Sequence, residues 1–141
     1  MKKNGKLFPV LAMMAGLVIG SLPALAHHGT GISYDASKSF TLKGTVNEFR
    51  YANPHPQLFF NVKDEKGNVV SWTTEVPTDV SKMVRAGWSK RRSIEALKPG
   101  TVITVLVAPS KSGGPFGLAN KIQNEKGEVL LRGADAAGLG Q

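Results

Sequence analysis

Residues 40–132 predict a mainly β domain, a small OB-like antiparallel barrel with one short helix between strands 3 and 4. Three features lead there. The first strand candidate, residues 40–51, is long, slips phase and contains Gly44. A slip beside an internal glycine marks a bulge or sharp bend, which would let one strand serve both sides of a barrel. A hairpin follows, and a short apolar stripe at helical spacing then separates strand three from strand four, the element order of a small, partly open five-stranded barrel. A β-sandwich is the rival and has no natural use for that helix.

Within the first strand Phe40, Leu42 and Val46 alternate, and the phase then moves to Phe49 and Tyr51. Asn53-Pro54-His55-Pro56 ends the strand, because neither proline can donate to a ladder. Leu58, Phe60 and Val62 alternate on a second strand, and Val70, Trp72, Thr74 and Val76 on a third. Asp64-Glu65-Lys66-Gly67-Asn68 joins them as a turn, with glycine supplying positive φ. Val80, Met83 and Val84 then fall at i, i+3, i+4, with Thr78 placed to cap the helix and Gly87 to close it. This stripe is expected to pack on the sheet, with Trp88 and a further helical turn through Ile94 and Leu97 behind it. After Lys98-Pro99-Gly100, residues 101–108 are rich in Val, Ile and Thr and apolar on both faces, as in a central strand. Residues 110–117 hold three glycines and read as a flexible loop. Residues 118–123 and 128–131 make a last hairpin around Asn124-Glu125-Lys126-Gly127, and residues 133–141 form a Gly/Ala tail expected to be disordered.

The start of the chain has a different character. Lys2, Lys3 and Lys6 precede an uncharged, mostly apolar run over residues 7–20, and Ala24-Leu25-Ala26 offers the small-x-small pattern of a cleavage site. Residues 1–26 therefore read as a cleavable signal peptide. The run is shorter than the roughly 20 apolar residues of a bilayer span, and no later segment is apolar enough to span. The expected mature chain begins at His27, carries an extended, polar, flexible arm over residues 27–39, and is soluble in the periplasm or secreted.

The chain has no cysteine, which excludes a disulfide framework, cysteine metal sites and thiol catalysis. The formal net charge of +8 falls when three lysines leave with the leader: 15 basic residues then face 10 acidic ones. That balance suits solubility and an anionic membrane surface without compelling nucleic-acid binding. Lys90-Arg91-Arg92 is the one basic run, and three charges in a row are usually a solvated face.

Candidate chemistry rests on the three histidines. His27 and His28 open the expected mature chain, and His55 sits in the turn after the first strand. Cleavage before His27 gives it a free α-amine beside its own imidazole, and the two nitrogens can close a chelate ring. A third nitrogen from His55 completes a T-shaped set, a histidine brace, with His28 as a further candidate ligand on the arm. Such nitrogen-rich tetragonal sites suit Cu(II), and both donor types release a proton near neutral pH when a metal competes. The bland alternatives are an exposed His-His arm that binds metal weakly and a His55 that bonds a turn carbonyl. Catalysis has less support: Asp35, Glu48, Glu75 and Asp79 are scattered, no Ser/His/Asp set can be argued, and Gly113-Gly114-Pro115 lacks the lysine and helix start of a phosphate loop. Phe49, Tyr51, Phe59 and Phe60 are the candidates for an aromatic platform on the barrel face, against the expectation that a domain this small buries most of them.

His27-His28-Gly29, Tyr34-Asp35, Gly44-Thr45-Val46, Asn53-Pro54-His55, Gly87-Trp88 and Lys98-Pro99-Gly100 together resemble the domain of unknown function 6152 family of small exported bacterial proteins. The resemblance covers nearly the whole mature chain, and Pro56 is an addition to the pattern. It implies a single domain behind a signal peptide, with a histidine pair at the start and an N-P-H turn, and it implies no activity. The expectation from the residues is a non-catalytic binding protein, holding copper through His27, His28 and His55. The alternative is an envelope module that takes a polymer or partner protein on its barrel face, with nucleic acid disfavoured by export.

Overall fold

A computed structural model describes residues 33–133. The expected leader over residues 1–26, the start of the expected arm over residues 27–32, with His27 and His28, and all but Gly133 of the expected tail over residues 133–141 lie outside the described residues. Six strands run in chain order: β1 Phe40–Arg50, β2 Gln57–Lys63, β3 Val69–Glu75, β4 Val102–Pro109, β5 Phe116–Asn124 and β6 Val129–Arg132. Between β3 and β4 lie two short helices, α1 Val80–Arg85 and α2 Lys90–Ala96. The strands pair in the order β3-β2-β1-β4-β5-β6, and an additional β3–β5 pairing closes the first five into a barrel. That closing seam is parallel, Thr73↔Phe116 to Glu75↔Leu118, while the neighbouring pairs are antiparallel. The OB-like barrel expected from the sequence is the observed fold.

β1 divides its partners as its length and bend require. Phe40–Thr45 pair with β4, and Thr45–Arg50 pair with β2, with a register shift between Val46 and Glu48. Gly44 stands at the changeover. A Cβ there would lie 2.5 Å from the Asn61 carbonyl oxygen and 2.8 Å from the Phe60 ring, so the crossing is too tight for any side chain. The β2–β3 turn closes as expected: Gly67 has φ 84°, and Asp64 accepts from the backbone N–H groups of Lys66 and Asn68 at 2.9 and 2.8 Å. Together with the Asn68 side chain, these donors hold the Asp64 carboxyl below its ordinary pKa.

The barrel interior is filled mainly from β1, β2, β4 and β5. Val46 and Phe49 of β1, Leu58 and Phe60 of β2, Ile103, Val105 and Val107 of β4, and Ala119 and Ile122 of β5 are buried. Met83 and Leu97 come in from the helical connection and are also buried. Trp72 and Trp88 are half-buried and pack against this cluster.

The helical connection departs from expectation in three ways. It is two helices, since Gly87 stops the first at φ 82° and Ser89 restarts the second by accepting from the Arg92 N–H at 3.2 Å. The cap of α1 is Asp79, not Thr78: its Oδ1 accepts from the Lys82 N–H at 2.8 Å, while Thr78 is buried. Finally, only Met83 of the expected stripe goes inside. A helix of six residues has room for one inward anchor, so Val84 is left 54% exposed; Leu97, just after α2, is buried, and Ile94 on α2 is 42% exposed.

Gly44→Val tests the crossing. Its branched side chain meets a backbone carbonyl that cannot step aside, so we expect a loss of about 1–3 kcal/mol, the usual cost of overpacking. The check is a urea unfolding midpoint that falls at constant slope; an unmoved midpoint would show that the β1–β2 crossing is looser than described.

Candidate functional site

Two neighbouring regions at one end of the barrel hold the candidate groups. The first is the β1–β2 turn. Tyr51 leaves β1 half-buried, packs on the core, and donates its hydroxyl to the Trp88 carbonyl at 3.3 Å. The Asn53-Pro54 peptide is cis, and Pro56 is buried, its carbonyl accepting from the Val76 N–H at 2.9 Å. His55 stands between these anchors, half-buried, and its Nδ1 is buried with no hydrogen-bond partner. The expected turn-carbonyl bond is thus absent at that nitrogen. An orphaned buried polar atom costs about 1–3 kcal/mol, a cost that a coordinated ion or a bound donor would remove.

The second region is the N-terminal segment. Its described end is tied down, not loose: the Asp35 N–H donates to the Pro109 carbonyl at 2.9 Å, the Lys111 N–H donates to the Ser33 carbonyl at 2.9 Å, and Tyr34 bridges to Ser110. Asp35 then caps a 3-10 turn, Ala36–Lys38. The Tyr34 hydroxyl is held above its ordinary pKa of 10.0, first by burial and then by the charge and hydrogen bond of Glu75. Glu75 is the register partner of Gln57, two residues after His55. Paired Cα atoms across antiparallel strands are about 5 Å apart, so the arm is fixed within a few residues of the histidine turn.

Among the described residues no group of three His, Cys, Asp or Glu side chains could hold a metal ion. His55 is the single histidine among the described residues. From His27 to Ser33 the chain has six steps, which extended span about 20 Å. His27 and His28 themselves lie outside the described residues.

The aromatic platform expected from Phe49, Tyr51, Phe59 and Phe60 needs correction. Phe49 and Phe60 are buried core, because both project inward from their strands, and Tyr51 packs on the core. Phe59 alone of the four faces outward, with the Arg50 guanidinium 4.8 Å from its ring centre. Its true companion is Phe116, missed in the sequence because it sits in a glycine-rich stretch that reads as loop. Phe59 pairs with Thr73 and Thr73 with Phe116, which puts both rings on the outer face with one strand between them. Phe116 is 53% exposed. Beside that row, Arg50, Gln57 and Glu75 are also in register, and Arg50 is held by Glu48 at 3.1 Å. No helix among the described residues is long and apolar enough to cross a membrane.

The Tyr34–Glu75 contact predicts an alkaline weakness. Below the ordinary value of 10.0 the hydroxyl is protonated in both states and its shelter stabilises the fold in full. As pH rises past that value the unfolded chain ionises first, so stability falls until the folded hydroxyl ionises too. In a Tyr51→Phe background, ultraviolet titration should show tyrosinate forming above the normal range. Glu75→Gln should bring it only partly back, since burial is the larger cause; complete normalisation would mean that Tyr34 is not sheltered.

No curated protein matches the chain. The family of unknown function DUF6152 matches it over residues 14–120, from within the apolar run of residues 7–20 through both regions just described and into β5; with this match over most of its length, the chain belongs to that family.

Proposed function

We propose that this chain is an exported, non-catalytic binding protein that holds Cu(II) between its mature N-terminus and the β1–β2 turn. The observation that carries the reading is the buried, unpartnered Nδ1 of His55, in a turn close to where the arm is fastened. Removal of residues 1–26 leaves the His27 α-amine and imidazole as a chelating pair. His55 adds a third nitrogen, and His28 is the reserve ligand on the arm. Copper is the metal favoured, because three neutral nitrogen donors and no thiolate select Cu(II) among divalent ions. The anchored arm supports the reading further: each residue already fixed lowers the ordering entropy that binding would otherwise cost.

Replacing His55 with Ala should weaken Cu(II) affinity at least tenfold, about 1.4 kcal/mol, and remove one nitrogen from the EPR hyperfine pattern. The chain titrated must start at His27, confirmed by mass spectrometry. Equal affinity in the variant, or affinity no better than that of a free His-His peptide, would rule out the three-nitrogen site.

A second reading draws on the Phe59–Thr73–Phe116 row. Two outward aromatic rings bordered by Arg50, Gln57 and Glu75 suit an envelope polymer or a partner protein, with stacking from the rings and hydrogen bonds from the rim. Phe116→Ala should abolish retention on peptidoglycan while leaving Cu(II) binding unchanged. Retention that survives the substitution would discard this face.

A further inference from the structure

We propose that the two-helix connection between β3 and β4 is a docking surface for an anionic phospholipid bilayer. Residues 80–98 carry Lys82, Arg85, Lys90, Arg91, Arg92 and Lys98 against the single carboxylate of Glu95. The rest of the described domain holds nine basic and eight acidic side chains and is close to neutral. Most of the net charge of the folded domain therefore sits on this one connection, even with Asp79 at its start counted against it.

Part of that charge serves the fold. The Arg92 guanidinium lies 4.1 Å from the Trp88 ring centre and donates to the Gly87 carbonyl at 3.0 Å. Lys82 pairs with Asp79 at 3.6 Å. Lys90, Arg91 and Lys98 make no ion pair among the described residues and are exposed. Lys90 and Arg91 stand at i−4 and i−3 from Ile94, spacings that share a helix face, and Lys98 follows just after the helix ends. Lys90, Arg91, Ile94, Glu95 and Lys98 line one shallow hollow, so an exposed aliphatic side chain is ringed by three uncommitted cations. Val84 on α1 adds a second outward apolar group.

This combination selects the occupant. A soluble polyanion would be served by the cations alone and would gain nothing from an outward Ile94. A bilayer with anionic headgroups uses both: the cations meet phosphates, and the aliphatic groups enter the headgroup–acyl boundary between them. The long lysine and arginine stems cover the same apolar rim while their charges stay in the headgroup layer. No histidine takes part in this surface, and vesicle binding needs no copper.

Sedimentation with vesicles decides it. Residues 27–141 contain the whole barrel and its core, and this form leaves out the apolar leader, which would itself bind lipid. It should bind vesicles of phosphatidylglycerol mixed with phosphatidylcholine, not vesicles of phosphatidylcholine alone, and binding should fall as salt rises. Arg91→Gln should weaken binding about fivefold, and Ile94→Ser about tenfold; both positions are exposed, so circular dichroism should show an unchanged fold. Failure to bind the anionic vesicles, or equal binding to both compositions, would overturn the proposal. So would anionic binding that Ile94→Ser leaves intact and that soluble polyphosphate competes away, since that pattern describes a polyanion site.

Discussion

Closure of the barrel at the β3–β5 seam is the constraint on which the other features depend. Three register pairs, Thr73↔Phe116, Thr74↔Gly117 and Glu75↔Leu118, join strands that run parallel, and the Thr73 N–H adds a bond to the Pro115 carbonyl at 3.0 Å. The seam can form only if β1 bends far enough to reach both β2 and β4, which is why Gly44 faces a carbonyl at a distance no Cβ tolerates. It needs a second small residue on the other side, since a Cβ on Gly117 would meet Val107 at 2.3 Å. Gly44 and Gly117 thus mark two places where the strands approach too closely for a side chain.

The same seam places the functional candidates. It brings Phe116 beside Thr73 and so opposite Phe59 across one strand, which makes an outer aromatic row out of residues far apart in the chain. It also brings Glu75 to the edge where Tyr34 crosses, and the sheltered hydroxyl of Tyr34 fastens the N-terminal segment next to the strand that begins after His55. The helical connection is left to cover the barrel with two inward anchors, Met83 and Leu97. Apart from the buried Ser93 and the half-buried Val80 and Ala96, the other positions on those two short helices are exposed, and there the sequence has placed cations around Ile94 and Val84.

Much of this was legible in the residues. The alternations on β2 and β3, the Asp-to-Asn turn between them and the phase slip of β1 are local patterns with period 2, and local patterns survive folding unchanged. The bend at Gly44 was readable because glycine inside a strand has few other uses. What failed to read were features set by distant partners. Val80, Met83 and Val84 show a helical stripe, yet whether one or three of them go inside depends on how much barrel end the helix must cover. Phe116 looks like part of a glycine-rich loop until the parallel pairing with β3 makes it a strand. His55 was visible as a candidate, but its unpartnered Nδ1 was not, because that depends on which turn carbonyls point away. The arm was expected to be flexible throughout its length, whereas Ser33–Ser39 are held by β4 and the loop after it; single backbone bonds to a distant strand leave no mark on sequence.

The most direct test of the copper account follows the backbone of the protein that starts at His27 while substoichiometric Cu(II) is added. A paramagnetic ion broadens the amide resonances nearest to it, so the 1H–15N spectrum reports where the metal sits without any substitution. The account predicts that amides over residues 52–57 broaden together with those at the start of the chain, since the ion would bridge the arm to the His55 turn. Broadening confined to residues 27–32, with the His55 turn untouched, would contradict it.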